Sequence, residues 1–278
     1  MTGNRVNEAR EGVDKGQWKI PEHSVHVYGP RVSRWALVIP VINEGLKFHA
    51  QLERMRPFIG LVDIVVADGG SSDGSMDDLE KHGIRAVLIK KGSGALSAQL
   101  RMAFSWCLLD GYEGIIIIDG NGKDGVDAIP LFVERLEQGL DMVQGSRYVP
   151  GGVAINTPLD RHLAVRLLHA PLISLASRKW WTDTTNGFRG FSSSFLADPR
   201  VAPFRDVFDT YNLHYYLSIR SSRLGFRCCE VPVTRAYPAK GKTPTKISGM
   251  RGRMLIMRQL LMSVAGCYNP KEGPKHGA

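Results

Sequence analysis

Asp119, Asn121 and Asp124 stand on a short polar loop, Asp119-Gly120-Asn121-Gly122-Lys123-Asp124, entered directly from Gly114-Ile115-Ile116-Ile117-Ile118. Open α/β sheets bind ligands beyond the carboxyl ends of their strands, so Asp119 and Asn121 mark where a cation or an anionic ligand is expected. The same residues also suit a plain polar turn after a core strand, since Asp and Asn favour turns. Three further loops carry the same composition: Pro40–Gly45 with Asn43 and Glu44, Asp68–Ser75 with Asp73, and Lys90–Gly94 with Lys91. Glycine lets backbone amides approach a phosphate, and helix N-termini offer it unpaired N–H groups. One such loop is weak evidence; four on one edge point to a nucleotide site.

Those loops need a frame that brings them together. Four consecutive β-branched residues bounded by glycines, Ile115–Ile118, predict a strand buried on both faces at the centre of a mostly parallel sheet. Trp35–Ile39, Val62–Ala67 and Ala86–Ile89 predict its neighbours. Between them run a helical pattern through Leu46, Leu52 and Met55 and another across Leu96–Leu109; Pro130 opens a third, and Met142-Val143 leads into Gly145-Ser146-Arg147-Tyr148. Regular alternation of this kind predicts right-handed βαβ units with helices on both faces of the sheet. There is no internal repeat. Residues 1–33 form a polar arm in which Val25–Tyr28 could add an edge strand.

At 278 residues the chain suits one large α/β domain. A net charge of +9 and a pI near 9.5 imply an anionic partner: a nucleotide, a phosphorylated acceptor, nucleic acid or an acidic membrane surface. Nucleic acid is disfavoured, because no helix-turn-helix, zinc or single-strand platform pattern occurs. Cys107, Cys228, Cys229 and Cys267 lack metal-ligand spacing and read as reduced thiols of a cytosolic protein. With neither a membrane-length apolar run nor a signal-peptide core, the expectation is a soluble or peripherally bound chain.

The second half is less regular. Leu159–Ser177 mixes apolar residues with Arg161, His162, Arg166 and His169 and predicts one or two helices broken at Pro171. Asp209–Arg223 reads as an aromatic helix and Phe226–Val233 as a strand. Met250–Cys267 is an amphipathic helix bearing Arg251, Arg253 and Arg258, suited to packing on the domain or to lying in a membrane interface.

Together these stretches resemble the family 2 glycosyltransferases with the GT-A fold, and within them the dolichol-phosphate mannosyltransferase-like branch. Pro40-Val41-Ile42-Asn43-Glu44 is similar to the family's opening Pro-Val-Tyr-Asn-Glu, Asp68–Ser75 to its Asp-Asp-Gly-Ser-Thr-Asp-Gly turn, and Asp119-Gly120-Asn121 to its Asp-x-Asp. Gly145–Gly152, Asp183–Arg189 and Glu230-Val231-Pro232 resemble the mannosyl-phosphate branch and follow in its order.

The resemblance implies an inverting transferase that moves a sugar from a nucleoside diphosphate to a polyprenyl phosphate. It places Pro40, Asn43, Glu44, Asp68, Lys91, Asp119, Gly120, Asn121, Lys123 and Lys246 at the donor, with Asp119 and Asn121 as ligands of Mg²⁺ or Mn²⁺. It places Arg147 and Arg161 at the acceptor phosphate, and Lys240, Lys242 and Lys246 on a loop closing over the diphosphate. Candidate catalytic residues are Asp119, Arg147 and Asp209. A phosphate monoester is already nucleophilic and needs alignment more than a base; a hydroxyl acceptor would need one, from Asp209 or His214.

Two departures bear on the metal. Asn121 replaces the second carboxylate and Lys123 stands where the branch often has glutamine, which should weaken divalent binding unless Asp124 turns inward to compensate. A metal that is weakly held or dispensable is therefore expected, with Lys123 supplying positive charge. The organisation expected is an arm over 1–33, a transferase domain over 34–249 and a C-terminal amphipathic helix and tail over 250–278. The protein is expected in the cytoplasm, free or peripheral on the inner face of a membrane. Two alternatives stay open: the same donor chemistry onto a soluble acceptor, and a nucleotide-binding protein without turnover.

Overall fold

A computed structural model describes residues 18–239 and 249–270 of the chain. Lys240, Lys242 and Lys246 lie outside the described residues, and so does most of the N-terminal arm.

The first strand, β1 (His23–Val27), precedes β2 (Trp35–Val41), α1 (Leu46–Met55), β3 (Asp63–Asp68), β4 (Ala86–Lys90), α2 (Leu96–Leu109), β5 (Gly114–Ile117) and α3 (Ile129–Glu137). There follow β6 (Met142–Ser146), β7 (Val153–Ile155), α4 (Leu159–Ala164), α5 (Ala170–Ser177), β8 (Arg189–Ser192) and α6 (Ser193–Ala197). The chain closes with α7 (Asn212–Arg223), β9 (Cys228–Pro232), β10 (Thr234–Ala236) and α8 (Gly249–Val264). Eight strands form one sheet in the order β1-β4-β3-β2-β5-β8-β6-β9, while β7 and β10 pair separately.

Strand periodicity explains why this sheet is covered on both sides. Ile115 and Ile117 of β5 join one apolar cluster with Ala36, Val38, Val65 and Ala67, under residues from α2, α7 and α8. Ile116 and Ile118 face the other way and meet Leu37, Ile39, Ile64 and Val66, covered by α1 and α3. The four isoleucines therefore serve two cores, and β5 cannot shift register without exposing one of them.

Two features depart from the expected βαβ pattern. The parallel run β4-β3-β2-β5 is followed by β8, which is antiparallel to both β5 and β6, and β1 is an antiparallel edge strand on β4. The segment around Pro171 is not broken: α4 and α5 are joined through a π turn over Val165–His169. Proline has no N–H to donate, and a wider turn next to it accommodates the missing bond without ending the helix.

Candidate active site

The Asp119 loop is held from below by a buried glutamine. Gln51, on the inward face of α1, donates from Nε2 to the Asp119 carbonyl (2.9 Å) and accepts from Gly122 N–H at Oε1 (2.6 Å). Arg54, one turn along, donates to the Gly122 carbonyl (3.0 Å). Gly120 is required by close approach, since a Cβ there would lie 2.8 Å from Val41 and 3.1 Å from the Pro40 carbonyl. Across the site, a Cβ at Gly187 would stand 2.6 Å from Asp119 Oδ1. The Asp119 side chain is thus fixed by its neighbours as well as by its own loop.

Its principal partner is an arginine from the far end of the chain. Arg235, on β10, donates from Nη2 to Asp119 Oδ2 (3.0 Å) and from Nη1 to Asp124 Oδ2 (2.5 Å). The three side chains are 10, 24 and 0 % exposed, respectively for Arg235, Asp119 and Asp124. Backbone bonds zip the two segments together: Gly125 N–H to the Thr234 carbonyl (2.8 Å) and Ala236 N–H to the Lys123 carbonyl (2.8 Å). Burial disfavours the ionised Asp119 carboxylate, but Arg235, with smaller help from His214 and Lys123, outweighs it and holds its pKa below the ordinary value. Burial, reinforced by Arg235, pushes the Lys123 ammonium below its usual pKa.

Asn121 is committed within the loop. Its Nδ2 donates to Asp119 Oδ2 (3.3 Å) and its Oδ1 accepts from Lys123 N–H (3.2 Å). Asp124 does turn inward, as a compensating ligand would have to, but towards Arg235. Among the described residues no group of three or more His, Cys, Asp or Glu side chains is placed to hold a metal ion. One carboxylate already facing a guanidinium is a poor donor set for a hard divalent cation.

The neighbouring tips are locked to each other. Gln99 of α2 donates to the Val41 and Ala67 carbonyls (both 2.9 Å), clamping the ends of β2 and β3. Asp68 spends its oxygens on its own turn, accepting from Gly70 N–H (3.0 Å), Ser71 N–H (3.0 Å) and Ser71 Oγ (2.6 Å). Asn43, at φ 49°, accepts from Ser72 N–H (2.9 Å) and so ties the first loop to the second. Ser75 Oγ donates to Asp73 (2.5 Å) and accepts from the Glu44 and Gly45 amides (3.0 and 2.7 Å). Asp73 therefore acts through Ser75 on the start of α1.

The second half of the chain supplies a basic wall centred on Tyr237. The Arg161 guanidinium lies 5.6 Å and the Lys123 ammonium 5.5 Å from its ring, and Arg235 is at 5.9 Å. Burial alone would raise the phenol's pKa, yet Arg235 and Arg147, with bonds to Arg161 and Arg235, hold it below the ordinary value. Arg147 is spoken for: it makes a two-point fork to Asp183 (2.6 and 2.9 Å) in which the side chains are 2 and 0 % exposed. Glu230 organises the same stretch, accepting from the Thr182 and Asp183 amides (2.9 and 3.2 Å). Arg189 is buried and donates to the Thr184, Asn186 and His214 carbonyls, which makes it a post beneath the 183–188 loop.

These tips open onto a cleft of about 440 Å³ whose lining includes Glu44, Lys47, Arg54, Asn121, Lys123 and Tyr237. The family model for glycosyl transferase family 2 matches residues 36–209, more than half of the chain. The chain is a family 2 glycosyltransferase.

Its relatives agree with that membership. An undecaprenyl-phosphate mannosyltransferase from Micrococcus luteus is 29 % identical over 221 residues, covering 76 % of this chain and 86 % of the relative. A polyprenol monophosphomannose synthase from Mycolicibacterium smegmatis is 25 % identical, covering 86 and 91 %. Among solved structures, glucosyl-3-phosphoglycerate synthase from Mycobacterium tuberculosis, crystallised with Mn²⁺, UDP and glucosyl-3-phosphoglycerate, superposes with a TM-score of 0.59 at 18 % identity, covering 98 % of this chain and 86 % of that one. The fold of this glycosyltransferase is GT-A.

Within the family 2 frame, the expected site residues converge in part. Glu44, Asn121 and Lys123 line the cleft, with Asp119 and Gly120 on the same loop, Pro40 beneath Gly120, and Arg161 and Arg147 beside Tyr237; Asn43 and Asp68 are not in the lining. Lys91 and Asp209 do not join its lining. Both are exposed on the lip around Gly94, where the Asp209 carbonyl accepts from Ala95 N–H (3.0 Å) at the start of α2. His214 is buried with Nδ1 unpartnered, and burial with nearby Arg189 pushes its pKa down to about 3.

Sequence reasoning missed Gln51, Arg235 and Tyr237. Arg235 had a readable signal: Val231, Val233 and Arg235 alternate on the inward face, all under 9 % exposed. An arginine at an inward strand position must find buried acceptors, carboxylates or carbonyls.

Proposed function

We propose that this glycosyltransferase moves a sugar from a nucleoside diphosphate onto the phosphate of a polyprenyl phosphate at a membrane surface, with inversion at the anomeric carbon. The observation that carries the reading is the wall at Tyr237, where the Asp119–Asp124 loop of the donor side and Arg161 of the acceptor side share one aromatic ring. Two anionic groups held there would face each other across a single cleft.

An acceptor phosphate oxygen attacks the anomeric carbon, the bond from that carbon to the diphosphate breaks, and its electron pair leaves on the nucleotide. Charge pairing at the departing diphosphate then lowers the barrier. Lys123, with Lys47 and Arg54 on the cleft wall, supplies fixed cations for it. Arg161, half-buried over Tyr237, and Arg166, whose guanidinium lies 5.8 Å from the Tyr148 ring, supply them for the acceptor. Arg147 acts behind them as the locked partner of Asp183 and as a neighbour of Tyr148 (5.2 Å). No proton has to be removed from a phosphate nucleophile.

The lipid acceptor is supported by the relatives' names and by the surface next to Arg161. Leu159, Leu163 and Leu167 repeat at four-residue spacing and are exposed by 71, 45 and 71 %, with Met250 and Met254 of α8 also exposed. Asp160 and Arg253 (3.6 Å) tie α4 to α8. Apolar side chains amid arginines suit a helix pair lying on an anionic lipid surface. No helix among the described residues is long and apolar enough to cross a membrane.

Incubation with polyprenyl phosphate vesicles and radiolabelled UDP-glucose or GDP-mannose tests the reading. Label should move into the organic phase as a mild-acid-labile product. Label found only in water-soluble saccharide would assign another acceptor, and absence of nucleotide release would end the enzyme reading of this site.

A further inference from the structure

The acidic residues of the donor loop are already neutralised by the protein itself. In a diphosphate site, two carboxylates repel the ligand unless a cation stands between them. Here Arg235 stands between Asp119 and Asp124, with a nitrogen on each, and Lys123 adds a second positive charge on the same loop. We propose that Arg235 is the resident counter-cation of the donor site, replacing a divalent ion in the binding of the nucleotide diphosphate.

Three observations support it. First, Arg235 is not a surface side chain that has swung in: backbone bonds on both sides of it join β10 to the loop carrying the two aspartates, and Gly125 lets Thr234 approach to 3.3 Å of where a Cβ would be. Second, Arg235 makes the direct ion pair to Asp124, whose other oxygen, Oδ1, is buried without a hydrogen-bond partner among the described residues. Third, Asn121 directs its amide nitrogen at Asp119 and its oxygen at a backbone N–H, so the loop's second oxygen ligand is already engaged. Two carboxylates and two cations leave the loop at the edge of the cleft with no net negative charge, and a diphosphate needs no bridging ion to enter.

The inference rests on the donor reading only for its nucleotide arm; its metal arm stands alone. Titrations use Mn²⁺ with the protein by itself, followed by electron paramagnetic resonance, and UDP and GDP as probes by calorimetry with Mn²⁺ or EDTA. Wild type should show no stoichiometric Mn²⁺ site, and its tighter nucleotide should change affinity by less than about threefold between the two conditions. Arg235→Gln alone strands Asp124 as a buried charge and risks misfolding, so the informative variant is Asp124→Asn/Arg235→Gln, with Arg235→Lys as the charge-conserving control. The double variant should lose about tenfold in nucleotide affinity in EDTA, regain it with Mn²⁺, and bind Mn²⁺ at least tenfold more tightly than wild type. Stoichiometric Mn²⁺ binding by wild type, or a double variant that matches it in both titrations, overturns the proposal. If neither nucleotide binds under any condition, the donor reading falls, while the Mn²⁺ titration of the protein alone still decides the role of Arg235.

Discussion

Gln51 is the residue whose loss should most cleanly separate the position of the Asp119 loop from its chemistry. It is not itself in the cleft lining, yet it holds the loop at both ends of a four-residue span: the Asp119 carbonyl at 2.9 Å and the Gly122 amide at 2.6 Å. Gln51→Leu removes both polar atoms and leaves an apolar side chain one atom shorter. Each backbone group left without its partner costs about 1–3 kcal/mol, or about 2–6 for the two. Burying a leucine in place of an amide returns about 1–2 kcal/mol. Taken at the midpoints of those ranges, the net expectation is a destabilisation of about 2–3 kcal/mol, well within what a domain of this size withstands.

The larger effect should fall on turnover. Relief of the two orphans requires the loop to lift towards water, carrying Asp119 and Lys123 with it, and a misplacement of about 1 Å costs on the order of a hundredfold in rate. Urea unfolding gives the first quantity, and kcat with saturating donor and acceptor gives the second. A variant that unfolds earlier by the stated amount but keeps wild-type kcat would refute the view that the loop's height matters. One that keeps wild-type stability would show that water replaces the glutamine without loss.

Three other perturbations test separate parts of the account. His169 is 8 % exposed with Nδ1 unpartnered, and burial pushes its pKa down to about 4. Between pH 6.5 and that value the unfolded chain takes up a proton the folded chain refuses, so its contribution is present above pH 6.5 and lost as pH falls. His169→Gln should therefore lose about 2 kcal/mol less than wild type between pH 7 and pH 5, measured by urea unfolding at both. Asp183→Asn leaves Arg147 buried without a counter-charge and should cost about 3–5 kcal/mol, whereas Arg147→Met/Asp183→Leu should recover most of that in thermal melts. Arg161→Ala should raise KM for polyprenyl phosphate about tenfold, with KM for the nucleotide sugar and the melting temperature little changed.

How far the sequence discloses this molecule depends on whether a feature is local. Ile115–Ile118, Trp35–Ile39 and Val62–Ala67 declare themselves because a strand buried on both faces must be apolar at every position, and the polar loops after them then mark the ligand edge. The antiparallel β8 lay hidden because Arg189-Gly190-Phe191-Ser192 has neither the length nor the alternation of a strand; its pairing with β5 and β6 defines it. The π turn before Pro171 was likewise unreadable, since proline predicts a missing bond and not the way the chain absorbs it.

The site divides along the same line. Asp119, Asn121 and Lys123 were legible together because five residues of loop contain them. Arg235 is 111 residues from Asp124 and 116 from Asp119, and nothing in its own neighbourhood names either partner. Arg147 shows the converse: its motif is readable in the sequence, but only the fold reveals that Asp183 already occupies its fork.

The excess positive charge can therefore be sorted by what it is free to do. Arg147, Arg189 and Arg235 are buried and satisfied, and they shape the walls. Lys47 and Arg54 stand exposed at the cleft, Arg251 and Arg253 are exposed on α8, and Arg166 on the turn between α4 and α5. A field of one sign over both faces draws in both anions of the proposed reaction. In the proposed reaction it also demands that the Asp119–Asp124 loop not carry an uncompensated negative charge at its centre, and Arg235 is paired with both aspartates there.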